Sequence, residues 1–219
     1  MTRGGAVWTI VVAAGAGTRF GGPKQYEMLG EHRVIDHAIA AATAASDGVV
    51  VVVRPEDATR EGAVAGGATR AASVRAGLAA VPADAEIICV HDAARPFADG
   101  DVFSAVIAAV RAGADGAVPG VAVADTIKVV NDDGGSLRRV VSTPDRSALV
   151  AVQTPQAFRA HALRTVHDGD TSGSATDDAS MIEATGGVVV VVPGDARYRK
   201  ITTPEDLAWA RGIVSDGGR

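Results

Sequence analysis

A mostly parallel α/β sheet with helices on both faces is predicted by two features: apolar runs that alternate with helical stretches, and a glycine-rich turn closing the first run. The strand-like runs fall at residues 7–13, 49–53, 86–90, 116–119, 148–152 and 188–192; helical stretches include 34–45, 70–80, 101–112 and 204–214. Hydrophobic residues make up 47% of the 219-residue chain and aromatics only 4%, so mainly Ala and Val fill the interior. That composition suits a sheet buried under closely packed helices. The length fits one domain, residues 1–219, and no repeat or second core interrupts it.

The first run, Val7-Trp8-Thr9-Ile10-Val11-Val12-Ala13, reads as a central strand. Ala14-Gly15-Ala16-Gly17-Thr18-Arg19-Phe20-Gly21-Gly22-Pro23-Lys24 follows, a turn poor in side chains that lets backbone N–H groups approach an anion. Arg19 adds a rigid fork for two phosphate oxygens and Lys24 a mobile point charge. Neither common glycine-loop template fits. A dinucleotide fingerprint needs glycine where Phe20 stands and an acid after the second strand, where Arg54-Pro55 stands; a P-loop needs Gly-Lys-Ser/Thr, and here Pro23 separates Gly22 from Lys24. A glycine turn with two solvated charges is the alternative for the Gly-x-Gly alone; Arg19 and Pro23-Lys24-Gln25-Tyr26 shift the balance to phosphate binding.

Further along, Glu86-Ile87-Ile88-Cys89-Val90 is a strand that buries the single cysteine, which excludes an internal disulfide and a cysteine-based zinc cage. His91-Asp92-Ala93-Ala94-Arg95 follows it and should share a crevice with the glycine turn, since open α/β sheets bind ligands at the carboxyl ends of their strands. His91 is read as a packed, hydrogen-bonded strand-end residue. Residues 125–141 break the alternation: two short extended runs flank Asn131-Asp132-Asp133-Gly134-Gly135, a hairpin signal with too few apolar residues for a core of its own. Asp177-Asp178 is read as a helix start, with metal ligation as the alternative. The last helix is announced by Thr203-Pro204-Glu205-Asp206: a hydroxyl cap, Pro in the first turn and acids at the positive dipole end. Lys200 therefore sits in a loop just before that helix.

A net charge of −5 makes nucleic acid an improbable partner, although local cations can still hold a triphosphate. No signal-peptide pattern and no apolar run of membrane-spanning length is present, which predicts a soluble, cytoplasmic protein with no membrane partner. The histidines are scattered, and no dedicated metal cluster is visible.

The loop string, together with Gly66-Gly67-Ala68-Thr69-Arg70-Ala71-Ala72-Ser73-Val74, Val90-His91-Asp92-Ala93-Ala94-Arg95-Pro96, Asp125-Thr126-Ile127-Lys128, Asp145-Arg146, Gln153-Thr154-Pro155-Gln156, Thr176-Asp177-Asp178-Ala179-Ser180 and Lys200-Ile201-Thr202, resembles the 2-C-methyl-D-erythritol 4-phosphate cytidylyltransferase family. The blocks run in the family's order from near residue 7 to near residue 210. The resemblance implies a Rossmann-like nucleotidyltransferase fold with a protruding β-arm, residues 122–148, that embraces a second subunit in a homodimer. It implies transfer of CMP from CTP to methylerythritol phosphate with Mg²⁺ or another divalent cation, held mainly by the CTP phosphates. Arg19, Lys24, Arg146 and Lys200 would be catalytic; Ala13, Ala14, Gly15, Gly67, Ser73 and Ala93 would line the CTP pocket. Asp92, Arg95, Thr126 and Thr154 would hold the acceptor, with Thr126 and Arg146 acting in the partner's site. Bland alternatives stay open: a salt bridge to Asp92 for Arg95, a solvated charge for Arg146, ordinary strand or turn roles for the threonines. Many relatives carry an acid where this chain has Ala68, so any ribose contact from that side chain is absent. A cytidylyltransferase for another polyol phosphate, such as ribitol 5-phosphate, and a silent nucleotide-binding subunit are the rival readings.

Overall fold

The computed structural model describes residues 5–131, 137–170 and 177–216. The chain runs through β1 (Val7–Ala13), β2 (Met28–Leu29), β3 (His32–Arg33), α1 (Val34–Ala45), β4 (Gly48–Val53), α2 (Ala58–Glu61), β5 (Val64–Ala65), α3 (Arg70–Ala80) and β6 (Ile87–Asp92). It continues through α4 (Gly100–Arg111), β7 (Gly116–Ala122), β8 (Val129–Val130), β9 (Val140–Ser142), β10 (Val150–Val152), β11 (Gln156–Arg159), α5 (Ala160–Gly169), α6 (Asp178–Ala184), β12 (Val189–Pro193) and α7 (Pro204–Asp216). The main sheet has the order β10-β7-β11-β6-β1-β4-β5, with β12 also paired to β7. Strands β5, β4, β1 and β6 pair in parallel, as do β7 and β12. Strands β10 and β11 run antiparallel to their neighbours.

Alternation along the central strands divides the interior. Val7, Val11 and Ala13 of β1 join Ile87 and Cys89 of β6 beneath α1 and α4, where Ile35, Phe103 and Val106 are buried. Ile10 of β1 and Ile88 and Val90 of β6 face the other way, onto Val74 and Leu78 of α3, Leu163 of α5 and Ile182 of α6. Period-two strands therefore carry two apolar faces, each covered by helices. A smaller cluster, Leu29, Val34, Ile201, Leu207 and Ala210, fastens α7 over the β2–β3 hairpin.

Several sequence expectations are corrected in detail. The strand expected at 86–90 extends through His91 and Asp92, so these two residues belong to β6 and not to the loop after it. The run at 148–152 is no parallel strand: a 3-10 turn, Arg146–Ala148, leads into the short antiparallel β10. Strand β11 went unpredicted because Gln156–Arg159 is too short, and too mixed at its ends, to signal a strand. The hairpin at 125–141 is present as the antiparallel pair β8–β9; residues 132–135 of its expected turn, like Thr176, lie outside the described residues. Cys89 is fully buried, as expected, and burial pushes its thiol up to about 12.

Helix α3 approaches the sheet through Gly77, where an added Cβ would lie 2.6 Å from Ile10 Cγ2 and 3.0 Å from Val52 Cγ2. Both neighbours are fully buried strand residues that cannot retreat. Gly77→Val is expected to lower unfolding free energy by roughly 1–3 kcal/mol through overpacking. Urea denaturation checks this, and an unchanged midpoint would show that α3 can shift freely.

Candidate active site

The carboxyl ends of β1, β4 and β6 open into one cleft of about 490 Å³, as parallel strands with covered faces require. The turn after β1 forms one wall. Gly17 adopts φ +67° so that its carbonyl can accept N–H bonds from Phe20 (2.9 Å) and Gly21 (3.0 Å); a side chain there would run into the Gly22 carbonyl. Gln25 is buried beneath this loop and donates Nε2–H to Ala13 O at 3.0 Å, tying the 3-10 turn that begins at Lys24 to the end of β1. Tyr26 stacks against Arg60 and Arg33, with guanidinium carbons 4.8 and 5.6 Å from its ring centre. Lys24 is thus anchored from behind.

Opposite lies the start of α3. Thr69 caps it by accepting Ala72 N–H at 3.1 Å, and Ser73 Oγ accepts from Gly67 N at 3.2 Å while donating to Thr69 O at 3.0 Å. Gly66 passes so near that an added Cβ would meet Ala14 Cβ at 2.6 Å and Ser73 Oγ at 2.8 Å. The two backbone walls are therefore locked together, and only small residues fit between them.

The floor is charged. Asp92, at the end of β6, accepts a 2.6 Å bond from Lys200 Nζ, and its other oxygen lies 3.6 Å from Arg70 Nε. Burial alone would push this carboxyl up, but Lys200 and Arg70 outweigh it and hold the group well below the usual carboxylate range. Lys200 is brought there because Ile201 N–H bonds Ala94 O at 2.8 Å and α7 begins immediately after, capped reciprocally by Thr203 and Asp206. Lys24 titrates below an ordinary lysine, through burial first and then the charges of Lys200 and Arg19. Five cationic side chains, Arg19, Lys24, Arg54, Arg70 and Lys200, consequently line one cavity with two carboxylates, Asp92 and Glu56. Glu56 is paired with Arg54 at 3.2 Å.

Of the residues predicted from sequence, Ala13, Ala14, Gly15, Arg19, Lys24, Gly67, Ser73, Asp92, Ala93 and Lys200 line this cleft. Thr154 and Arg95 support it from behind: Thr154 Oγ1 accepts Asp92 N–H at 3.0 Å and lies 3.0 Å from His91 Nδ1, while Arg95 donates to Tyr198 O at 2.7 Å. The salt bridge of Arg95 to Asp92 weighed as an alternative is not the arrangement found, because Lys200 and Arg70 occupy that carboxylate. Thr126 and Arg146 are exposed on the arm, outside the cleft lining; Arg146 donates to Ala124 O at 2.8 Å. His91 is fully buried against Phe103, and burial pushes it down to about 4, as a packed strand-end residue should be. Asp177 caps α6 through Ser180 N–H at 3.0 Å. Arg70, Gln25 and Thr202 also belong to the site and were given no role in the sequence reading. Arg70 and Gln25 sit inside the quoted strings, so position next to a strand end was the available signal.

Among the described residues no three His, Cys, Asp or Glu side chains cluster to hold a metal. With Asp92 and Glu56 both paired, the donor set fits a divalent cation that arrives on a triphosphate and not one caged by protein carboxylates.

The sequence profile of IspD, 2-C-methyl-D-erythritol 4-phosphate cytidylyltransferase, matches residues 7–216. A protein of that name from Streptomyces coelicolor is 42% identical over 94% of this chain and 84% of its own length; another from Rhodococcus opacus is 42% identical over 97% of each. Among solved structures, the 4-diphosphocytidyl-2C-methyl-D-erythritol synthase of Anaerococcus prevotii superposes with a TM-score of 0.84 at 27% identity, covering 97% of this chain and 100% of that one. The 2-C-methyl-D-erythritol 4-phosphate cytidylyltransferase of Thermus thermophilus gives 0.78 at 31% identity, covering 94% of this chain and 98% of that one.

The Asp92–Lys200 pair makes stability depend on pH. Because the folded-state carboxyl is held below its unfolded value of about 4, its contribution is present above that pH and is lost as pH falls through the lowered folded value. Lys200→Met is therefore expected to cost roughly 1 kcal/mol near neutrality, less than a fully buried pair would because Lys200 is 39% exposed. The gap from wild type should close on acidification below about pH 4. Urea titrations at stepped pH measure it, and a gap that widens on acidification would exclude Asp92 as its source.

Proposed function

The chain belongs to the 2-C-methyl-D-erythritol 4-phosphate cytidylyltransferase family, and from that premise we propose how its cleft performs the reaction. The enzyme transfers CMP from CTP to 2-C-methyl-D-erythritol 4-phosphate, in the non-mevalonate route to isoprenoids. An oxygen of the acceptor phosphate attacks the α-phosphorus of CTP; the new P–O bond forms as the bond to the β-phosphate breaks, and pyrophosphate leaves. The convergence of Arg19, Lys24 and Lys200 on one cleft carries this reading.

CTP lies along the walls made by Ala13, Ala14, Gly15, Gly67, Ser73 and Ala93, which present backbone groups and small side chains. Arg19 and Lys24 meet its phosphates. Charge grows on the α-phosphoryl oxygens and the leaving pyrophosphate, and cations already held in place stabilise it without reorganisation. Bound with the triphosphate, Mg²⁺ or a similar divalent ion supplies further charge neutralisation. The acceptor phosphate is ionised at neutral pH and needs no general base, consistent with a buried, hydrogen-bonded His91. Lys200, fixed by Asp92, aims that phosphate, while Thr154 Oγ1 and the Arg95 N–H hold the Asp92 backbone from behind.

Thr126 and Arg146 serve the cleft of a second copy in a two-fold dimer. The exposed apolar residues of the arm and sheet end support this: Ile127, Val129, Val130, Leu137, Val140 and Val141 on the arm, and Val150 and Val191 flanking Gly120. Such a surface is what a partner subunit would cover. No helix among the described residues is long and apolar enough to cross a membrane.

Lys24→Ala and Arg19→Ala are each expected to lower kcat at least about a hundredfold with the fold retained, since a lost preoriented donor costs roughly 3 kcal/mol in the transition state. Pyrophosphate release from CTP with a panel of polyol phosphates measures this and identifies the acceptor; near-normal turnover in either variant would remove that residue from the mechanism. Equal turnover with ribitol 5-phosphate would widen the acceptor class.

Mixing inactive Lys24→Ala and Arg146→Ala chains should restore part of the activity, because a mixed dimer contains one site with an undamaged Lys24 and an undamaged arm. If subunit exchange is demonstrated and no activity returns, Arg146 serves its own chain.

A further inference from the structure

Behind the cleft, a line of polar groups runs from the interior to Lys200. His167 Nε2 lies 2.9 Å from Asp178 Oδ1, Asp178 Oδ2 accepts Arg70 Nη1–H at 2.7 Å, Arg70 Nε faces Asp92 Oδ1 at 3.6 Å, and Asp92 Oδ2 accepts from Lys200 Nζ at 2.6 Å. The side chains of His167 and Asp178 are 0% and 1% exposed, and neither lines the cleft. Burying a carboxylate this deeply costs several kcal/mol unless its partners are well placed, and apolar packing would hold α5 to α6 at less cost. A role in geometry accounts for the pair better than a role in cohesion.

Each member fixes the next. His167 takes one oxygen of Asp178 and so leaves the other for Arg70 in a set direction. Its other ring nitrogen, Nδ1, is buried without a hydrogen-bond partner, so Nε2 is the ring atom that engages Asp178. The backbone of His167 is held too: Arg75 of α3 donates to His167 O at 3.1 Å and to Asp170 O at 2.8 Å, closing the last turn of α5. Arg70, the first residue of α3, then has its planar fork divided between two carboxylates. Were Asp178 to turn away, that fork could close on both oxygens of Asp92 and compete with Lys200 for it.

We propose that His167 and Asp178 are positioning residues for nucleotidyl transfer, acting through Arg70 to keep Asp92 available to Lys200. This rests on the reading of the cleft as the site of transfer. It predicts that kinetic effects of His167 appear in the acceptor step and vanish once Arg70 is gone.

The test is a set of full-length variants assayed by pyrophosphate release beside the wild type, with unfolding midpoints recorded for each. His167→Gln keeps a donor that reaches Asp178 and should stay within about twofold of wild type, whereas His167→Leu should lose about fivefold or more in kcat/KM for methylerythritol phosphate. The KM for CTP should stay within about twofold. In an Arg70→Met background, adding His167→Leu should change kcat/KM by less than about twofold, because the path is already cut. The same loss in both backgrounds, an undiminished His167→Leu enzyme, failure of His167→Gln to retain activity, or a loss confined to the KM for CTP would each overturn the proposal. If His167→Leu does not fold, the nearly isosteric Asp178→Asn replaces it in the same cycle with the same expectations. An inactive wild type would instead refute the assignment of the reaction, so the two failures are distinguishable.

Discussion

The carboxylate of Asp92 is the point on which the cleft turns. It ends the central strand β6, its backbone N–H is held by Thr154, and its two oxygens face cations from opposite directions, Lys200 ahead of α7 and Arg70 opening α3. Elements far apart in sequence are thereby referred to one strand end. A cleft meant for a triphosphate must gather positive charge, and like charges repel: Lys24 already titrates low partly because Lys200 and Arg19 are near. Asp92 offsets that repulsion locally and leaves the mouth of the cleft cationic.

Topology explains why these groups meet in one place. Because β5, β4, β1 and β6 are parallel, their carboxyl ends open on one side, and the backbone turns that follow them need only be small to let a phosphate chain approach. Gly66 and Gly17 serve that closeness by different means, the first through the space beside Ala14 and Ser73, the second through its positive φ. The antiparallel strands β10 and β11 break the pattern where binding gives way to the arm.

The sequence made the parallel core legible because valine-rich runs report burial on both faces, and helices α1, α3 and α7 were found within a residue or two for the same reason. Strand β11 was not legible, since Gln156–Arg159 has a single large apolar side chain, Phe158, and owes its conformation to β6 and β7 on either side. Much of the cleft lining was readable from glycine-rich strings at strand ends. Arg70 was not, because its importance depends on Asp92 and Asp178, which lie 22 and 108 residues away and come near only in the fold. For Arg95, read as an acceptor-binding residue with a bridge to Asp92 as the alternative, the bridge is not found: its guanidinium turns to the Tyr198 carbonyl.

The arm follows from the same economy of charge. Arg146 is exposed and held by the Ala124 carbonyl, with its 3-10 turn outside the cleft that contains Lys24 and Lys200. A further cation built permanently into that cleft would depress Lys24 more and require another buried anion to balance it. Supplying a cation from a separate subunit avoids this, since each chain can fold with its own cleft balanced by Asp92 and receive the additional charge only on assembly. On the proposed dimer, then, completing the site and covering the apolar strip of Val150 and Val191 are one event, and the hydrophobic burial drives the approach of a charge that the isolated cleft would resist.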